Sequence, residues 1–241
     1  MRKLYLFYKQ GDTKTPQAVA QLGKSDLLDL ISQIPWGHNR EIISKCENVK
    51  EALFYVRGTI KNNWSRNVLL MQIDSTLHLR EGKAVNNFQA TLPQPQSDLA
   101  QQTLKDPYVF DFLTLTKSFK EREVELGLIL NLEKFLLELG QGFAFVGRQY
   151  ALSVSDQDFY LDLLFYHLEL RCFVIIDLKT GAFKPEYVGK MNFYCAVVDD
   201  RLKNEHDKPT IGLILCQDKN KVIAEYALRG QQTPIGVSEF E

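Results

Sequence analysis

Apolar and polar residues in the first third of the chain recur at helical spacing. Asp26 to Gln33, with Ser25 placed to cap it, reads as a helix ended by Pro35, and a second runs from His38 to Cys46. Val49 to Lys61 and Ser65 to Leu79 are longer amphipathic stretches. In the latter, Val68, Leu69, Gln72, Ile73 and Thr76 fall on one stripe. Between residues 81 and 107 the periodicity lapses, and Gly82, Asn86, Asn87, Pro93, Pro95 and several Gln give the composition of a linker or long loop. The longest helical pattern follows, Ser118 to Leu139, closed by Gly140 and Gly142.

Beyond Gly142 the period drops to two, the signature of strands. Strands are expected at Phe143 to Val154, Phe159 to Tyr166 and Cys172 to Lys179. Pro185 opens a helix to about Val198. Thr210 to Cys216 and Ile235 to Phe240 read as further strands with a short helix between them. The pattern predicts an α/β protein in two parts: a helical module over 1–107, with 81–107 as its linker, and an α, β, β, β, α, β, α, β domain over 108–241.

Composition adds limits. With 241 residues, 45% hydrophobic and 24% charged, the chain can bury a sizeable core. No run of about 18 uncharged apolar residues occurs, and the stretch Met1 to Lys9 lacks the features of a signal peptide. A cytoplasmic location without membrane association is expected. Cys46, Cys172, Cys195 and Cys216 form no CxxC and sit among apolar residues, so reduced core cysteines are expected rather than disulfides or zinc. Residues 1–80 hold 12 Lys and Arg against 7 Asp and Glu, leaving 17 against 23 for the rest. The basic front is compatible with a nucleic-acid surface.

The chemistry concentrates on the hairpin. Strand alternation puts Tyr160, Asp162, Leu164 and Tyr166 on one face, and Phe173, Ile175, Asp177 and Lys179 on one face of the next strand. A symmetric hairpin turning between Glu169 and Leu170 would set Asp162 directly opposite Asp177, with Cβ atoms roughly 4.5 to 5.5 Å apart. Two such carboxylates on apolar strands repel unless a cation or a shared proton relieves them. Mg²⁺, with Mn²⁺ able to substitute, suits a pair of carboxylates plus a backbone carbonyl, here that of Leu178, and substrate phosphate oxygens. Lys179 could orient or activate a water for attack on phosphorus. The ordinary alternative is a strand-edge acid beside a surface ion pair.

Glu125 lies at helical spacing with Leu128, Ile129, Leu132 and Leu136, on the face due to pack against the sheet. There it is either an outer metal or water ligand or an acid that snorkels from the first turn. In the helix after the hairpin, Tyr187, Lys190, Met191 and Tyr194 form a stripe from which Lys190 could reach a phosphate and Tyr194 could meet nucleic acid. Among the scattered histidines only His167, at the hairpin's end, is near enough to be a substrate contact. The KTG at Lys179 to Gly181 has no Ser-x-x-Lys to accompany it, which excludes a serine β-lactamase site, and no Walker A or GxGxxG pattern is present. Arg66 follows Trp64 and Ser65 at a helix start and is a candidate DNA contact, unless Trp64 is simply a core anchor and Arg66 a solvated cation.

FVGRQYALSV, FYLDLLFYH, CFVIIDLKTGAFKPEYVGKMNFY, PTIGLILC, EYAL and PIGV closely resemble the YhcG-like family of bacterial PD-(D/E)XK nucleases over about residues 121–240. PWGHNREII and IKNNWSRNVLLMQI resemble that family's winged-helix-like front module. The resemblance implies a restriction-endonuclease-like core with a mixed sheet, and a front module for DNA binding or oligomerisation. It assigns Glu125, Asp162, Asp177 and Lys179 to the nuclease motif, with Lys190 beside them and Arg148, in FVGRQYALSV, as a DNA contact. It also implies a dimeric, Mg²⁺-dependent DNA nuclease in recombination, repair or defence; the rival is an inactive DNA-binding or assembly protein that keeps the fold. The family usually has Glu where this chain has Asp177. Relative to the family, the chain is expected to begin part-way into the front module and to stop short of a helical tail.

Overall fold

The computed structural model describes residues 2–10, 24–114 and 119–241, which fall into two compact units, Met1–Leu79 and Arg80–Glu241. In the first unit the helical spacing becomes α1 (Arg2–Gln10), α2 (Lys24–Ser32), α3 (Trp36–Lys45), α4 (Val49–Asn62) and α5 (Arg66–Asp74). A single turn, α6 (Leu77–Arg80), ends it. Asn48 caps α4 by accepting from the Glu51 amide, and Ser65 caps α5 by accepting from that of Val68. The Ser25 side chain, expected to cap α2, is outside what is described. Ser65 to Leu79 is not one helix, because Thr76 takes a left-handed φ of 50° and splits it. Ile42, Leu53, Tyr55, Val56 and Leu69 form the core. Among the described residues of this unit there is no strand.

Residues 81–107 are not a linker. They carry β1 (Val85–Asn86), α7 (Phe88–Thr91) and α8 (Gln96–Thr103), and Phe88, Leu92, Ala100 and Leu104 are buried with Leu213 and Phe240 in the core of the second unit. The composition misleads because these elements are too short to show a period, and their polar residues are used structurally. The Asn87 side chain accepts from the Ile235 amide at 2.8 Å and donates to the Thr233 carbonyl at 2.9 Å.

The pattern Ser118 to Leu139 is also divided, into α9 (Glu121–Leu130) and α10 (Leu132–Leu139); Ser118 itself lies outside the described residues. Asn131 interrupts it, its side chain donating to the Gly127 carbonyl at 3.0 Å in competition with the helix backbone. Gly142, at φ 91°, lets the chain pass His167, whose ring would lie 2.5 Å from an added Cβ.

The long strands are β2 (Phe143–Val154), β3 (Gln157–His167) and β4 (Cys172–Ala182). They are followed by α11 (Glu186–Arg201), β5 (Ile211–Asp218), α12 (Lys221–Leu228) and β6 (Ile235–Glu239). Among the described residues they form one six-stranded mixed sheet in the order β1-β6-β5-β4-β3-β2, with β4, β5 and β6 mutually parallel and the other pairs antiparallel. One face packs Val124, Leu128, Phe135 and Leu139 of α9 and α10 onto Leu163, Phe165, Val174 and Ile176. The other packs Met191, Cys195 and Val198 of α11 onto Leu164, Ile175, Ile214 and Val237. This gives the expected α/β class, a sheet covered on both faces. All four cysteines are buried and free.

A buried charge cluster fixes the 80–110 segment to the nearby helix. Glu138 of α10 receives Arg80 Nη1 at 2.6 Å and Lys105 Nζ at 3.6 Å, with side-chain exposures of only 5 to 7%. Its Oε1 also accepts from the Val109 amide at 3.0 Å. Burial pulls the Lys105 ammonium below its ordinary pKa, with Glu138 working against that shift. Removing the acid strands two buried cations, a change that typically costs about 3 to 5 kcal/mol. Urea unfolding of Glu138→Ala is expected to show a loss of that order in the second unit. Glu225→Ala, which breaks the exposed Lys221–Glu225 pair, should change stability by about 0.5 kcal/mol or less.

Candidate functional site

The site is built where two strands part. From the turn around Glu169 and Leu170, β3 and β4 pair in register from His167↔Cys172 to Leu163↔Ile176, and there the pairing ends. The next step of that register is Asp162 opposite Asp177. Beyond it β3 stays with β2, while β4 continues with β5 through Asp177↔Ile214 and Lys179↔Cys216. The β4 edge so exposed still has amides to satisfy. Asp162 Oδ2 accepts from the Leu178 amide at 2.9 Å, and Glu121 Oε1 from the Thr180 amide at 3.4 Å. Two carboxylates thus take the place of a missing strand.

Asp177 is 2% exposed and held by two ammonium groups, Lys179 Nζ at 2.7 Å and Lys190 Nζ at 3.3 Å. Lys179 Nζ also donates to the Leu178 carbonyl at 2.8 Å, lies 3.7 Å from Glu121 Oε2 and stands 5.4 Å from the centre of the Tyr187 ring. Burial works against the charge of Lys190, but Asp177, Tyr194 and Asp162 outweigh it and raise its pKa. Asp162 shows the cost of this crowding. Burial first, and then repulsion from Asp177, lift its carboxyl from 3.8 to about 6, against the opposing pull of the Leu178 amide and the two lysines.

Glu125 does not snorkel. It is 3% exposed on α9, accepts from Gln149 Nε2 at 2.6 Å and faces Arg148 Nε at 3.6 Å. The same Gln149 nitrogen donates to Asp162 Oδ1 at 3.5 Å, joining the two acids through one amide. Gln149 has a left-handed φ of 45°, and the β2–β3 register passes from Arg148↔Leu163 to Tyr150↔Leu161 without pairing Gln149 to Asp162. That irregularity upsets the strict alternation expected of β3. Leu161 and Leu164 enter the same core, whereas Leu163 and Phe165 enter the other.

The helical spacing of Glu125 was visible in the sequence, but Gln149 and Glu121 were not singled out. Gln149 becomes recognisable only once the β2–β3 register is known. Glu121 had a signal: it precedes Glu125 by one helical turn.

The other candidates separate. Lys190 joins the site with 44% of its side chain exposed, 5.2 Å from the centre of the Tyr194 ring. Tyr194 is 4% exposed, so it supports Lys190 from below instead of meeting nucleic acid itself. His167 is a buried residue at the turn end of the hairpin, its Nδ1 accepting from the Leu170 amide, and is excluded from the site. In the first unit Arg66 is half-exposed and ion-paired with Glu41, while the Trp64 ring packs over Gly58, where a Cβ would come within 2.7 Å. Trp64 is therefore a packing anchor.

The donor chemistry suits a hard divalent cation: the Asp162 and Asp177 carboxylates and the Leu178 carbonyl are all oxygens, and burial and the charge of Asp177 disfavour ionised Asp162. In the structure the Lys179 ammonium spans Asp177 and that carbonyl. Among the described residues no three His, Cys, Asp or Glu side chains are gathered closely enough to hold a metal. The acids therefore fit the ion in kind, and the lysine must yield for them to converge on it.

Residues 101–241 match the family described as the YhcG PDDEXK nuclease domain, and residues 1–80 match the DUF1016 N-terminal domain. YhcG of Escherichia coli (strain K12), a nuclease by designation only, is 38% identical over 263 aligned positions that span this whole chain and 69% of that protein. Among solved structures, a repair endonuclease from Pyrococcus abyssi is similar at 16% identity with a TM-score of 0.33, over 52% of this chain and 48% of that one. A complex of EndoMS with double-stranded DNA is similar at 16% identity with a TM-score of 0.36, over 54% and 46%. The chain thus spans about half the length of those structures. With the nuclease model matched over more than half of the chain, including strands β2 to β6 and helices α9 to α12, this chain belongs to the YhcG family of PDDEXK nucleases.

Proposed function

We propose that the chain is a divalent-metal-dependent deoxyribonuclease that hydrolyses DNA phosphodiester bonds in recombination, repair or defence against foreign DNA, as a dimer in the cytoplasm. One observation carries the reading: Asp162, Asp177, Lys179 and Glu125 meet around the opening between β3 and β4, where burial and Asp177 disfavour the charge of Asp162 that a bound cation would relieve. Among the described residues no helix is long and apolar enough to cross a membrane.

Asp162, Asp177 and the Leu178 carbonyl are the atoms that would hold Mg²⁺, or Mn²⁺ in its place. Bound there, the ion supplies a Lewis acid and an acidified water. Lys179 Nζ, once it yields Asp177 and the Leu178 carbonyl to the ion, would orient the attacking water as a hydrogen-bond donor and offset developing negative charge. Lys190 and Arg148 meet phosphate oxygens as cations at the rim. Gln149 keeps Glu125 and Asp162 at a fixed separation with its one amide group.

A second reading, an inactive scaffold that binds DNA, is favoured by the two lysines that already neutralise Asp177. Purified protein with Mg²⁺ or Mn²⁺, offered linear, branched, single-stranded and supercoiled DNA, distinguishes them. Cleavage that Asp162→Ala abolishes while DNA binding persists is the expected result. Failure to cut any of these DNAs, with no heat of metal binding in calorimetry, would falsify the enzyme reading.

Asp162 also makes a prediction about stability. Its carboxyl binds a proton more tightly in the folded protein, at about 6, than at its ordinary 3.8. This group therefore favours folding at low pH, and the advantage fades as pH rises from about 4 to about 6. Above that range the ionised acid costs on the order of 1 to 3 kcal/mol. Without metal at pH 7, Asp162→Asn is expected to melt higher than the wild type, and the difference should vanish near pH 4. Added Mg²⁺ should raise the wild-type melting temperature and leave that of Asp162→Asn unchanged.

For Gln149, substitution by Ala removes the amide, and substitution by Gly does so while easing the left-handed backbone. Both are expected to lower cleavage about 10- to 100-fold, the usual range for groups that orient metal ligands. Full activity in Gln149→Gly would show that the amide positions nothing.

A further inference from the structure

We infer that the cleft beside Asp162 is a subsite for one unstacked nucleotide, in which Tyr160 stacks on the base and Arg122 and Arg148 face the flanking phosphate. The inference rests on the nuclease reading above and extends it to the class of substrate.

The cleft has a volume of about 530 Å³ and is walled by Tyr160, Arg122 and Arg148, with Asp162, Glu125 and Gln149 at the catalytic side. That volume lies within the range of pockets that enclose a small organic group, roughly 300 to 1,000 Å³. Tyr160 stands two residues before Asp162 on β3 and pairs with Ala151 of β2, so its backbone is fixed by the sheet. The residue is 49% exposed. No ring contact or side-chain hydrogen bond engages Tyr160 among the described residues. An aromatic ring held on a paired strand, half-exposed and lining the same cleft as Asp162 and Glu125, can serve as a stacking platform.

The two arginines complete the recognition. Arg148 is drawn toward the wall by Glu125, at 3.6 Å, with 38% of its side chain still open, and Arg122 is exposed on the first turns of α9. Guanidinium groups in this position meet phosphate oxygens with their forked donors. A polar cation on one side and an aromatic face on the other match the two ends of a nucleotide.

This arrangement selects against an intact duplex. Inside a duplex each base is covered on both faces by its neighbours, so Tyr160 can stack only on a base already freed or extruded at cost. Single strands, flaps, gaps and junction arms offer such a base beside a phosphate. The preferred substrate is therefore DNA with unpaired nucleotides at the cut.

The test uses the full chain in EDTA, so that cleavage does not intervene. A single-stranded DNA oligonucleotide and the fully paired duplex of the same sequence are titrated against wild type, Tyr160→Phe and Tyr160→Ala by fluorescence anisotropy. The single strand, carrying 5-iododeoxyuridine, is also photocrosslinked and the adduct mapped. The expected result is single-strand binding at least about tenfold tighter than duplex binding in wild type and Tyr160→Phe. Tyr160→Ala should lose most of that preference, and the crosslink should fall on Tyr160. Unchanged single-strand affinity in Tyr160→Ala, or a crosslink confined to other residues, overturns the subsite while leaving the nuclease reading intact. If neither DNA binds to any variant and Mg²⁺ elicits no cutting, both fail together.

Discussion

The parting of β3 from β4 after Leu163 and Ile176 is the constraint on which the site depends. A strand that loses its neighbour in the middle of a sheet leaves amides that water or side chains must satisfy, and here Asp162 and Glu121 satisfy those of Leu178 and Thr180. Asp162 is thereby drawn into a place where burial disfavours its charge. The same opening admits Glu125 from α9 on one side and Lys190 from α11 on the other, which a fully paired sheet would keep apart. The break in pairing thus gathers charge from both layers of helices at a single point of an otherwise apolar sheet.

Two of the buried ionic groups described in the second unit behave differently for a physical reason. At Glu138 one acid meets Arg80, Lys105 and the Val109 amide, so its lone pairs are taken up and nothing is left to react. At the β3–β4 opening Asp162 faces another acid at the next step of the register, and its carboxyl is pushed up to about 6. A satisfied cluster holds a segment in place; a frustrated one is ready to take a cation or a proton. Sequence composition cannot distinguish these cases, since both are acids among Leu, Phe and Lys.

Legibility in the sequence followed period and symmetry. The juxtaposition of Asp162 and Asp177 could be read because strands have a period of two and the hairpin is symmetric about Glu169 and Leu170. The succession of strands and helices after Gly142 was readable for the same reason. The 81–107 segment was not, since α7 and β1 are too short to express a period and Asn87 acts through contacts almost 150 residues away. Gln149 was invisible because its importance arises from a left-handed backbone and a skipped ladder step, which no local propensity announces. The split of the long helix at Asn131 was lost for the opposite reason: Leu128, Leu132 and Leu136 continue the apolar stripe straight through the break.

The use of Asp in place of the longer Glu at position 177 can be understood from the same geometry. The shorter side chain keeps the carboxylate near the β4 backbone, within 2.7 Å of Lys179, whose ammonium also reaches the Leu178 carbonyl. A cation that replaced this ammonium would meet the same two oxygens, and Asp162 already reaches across to the Leu178 amide at 2.9 Å.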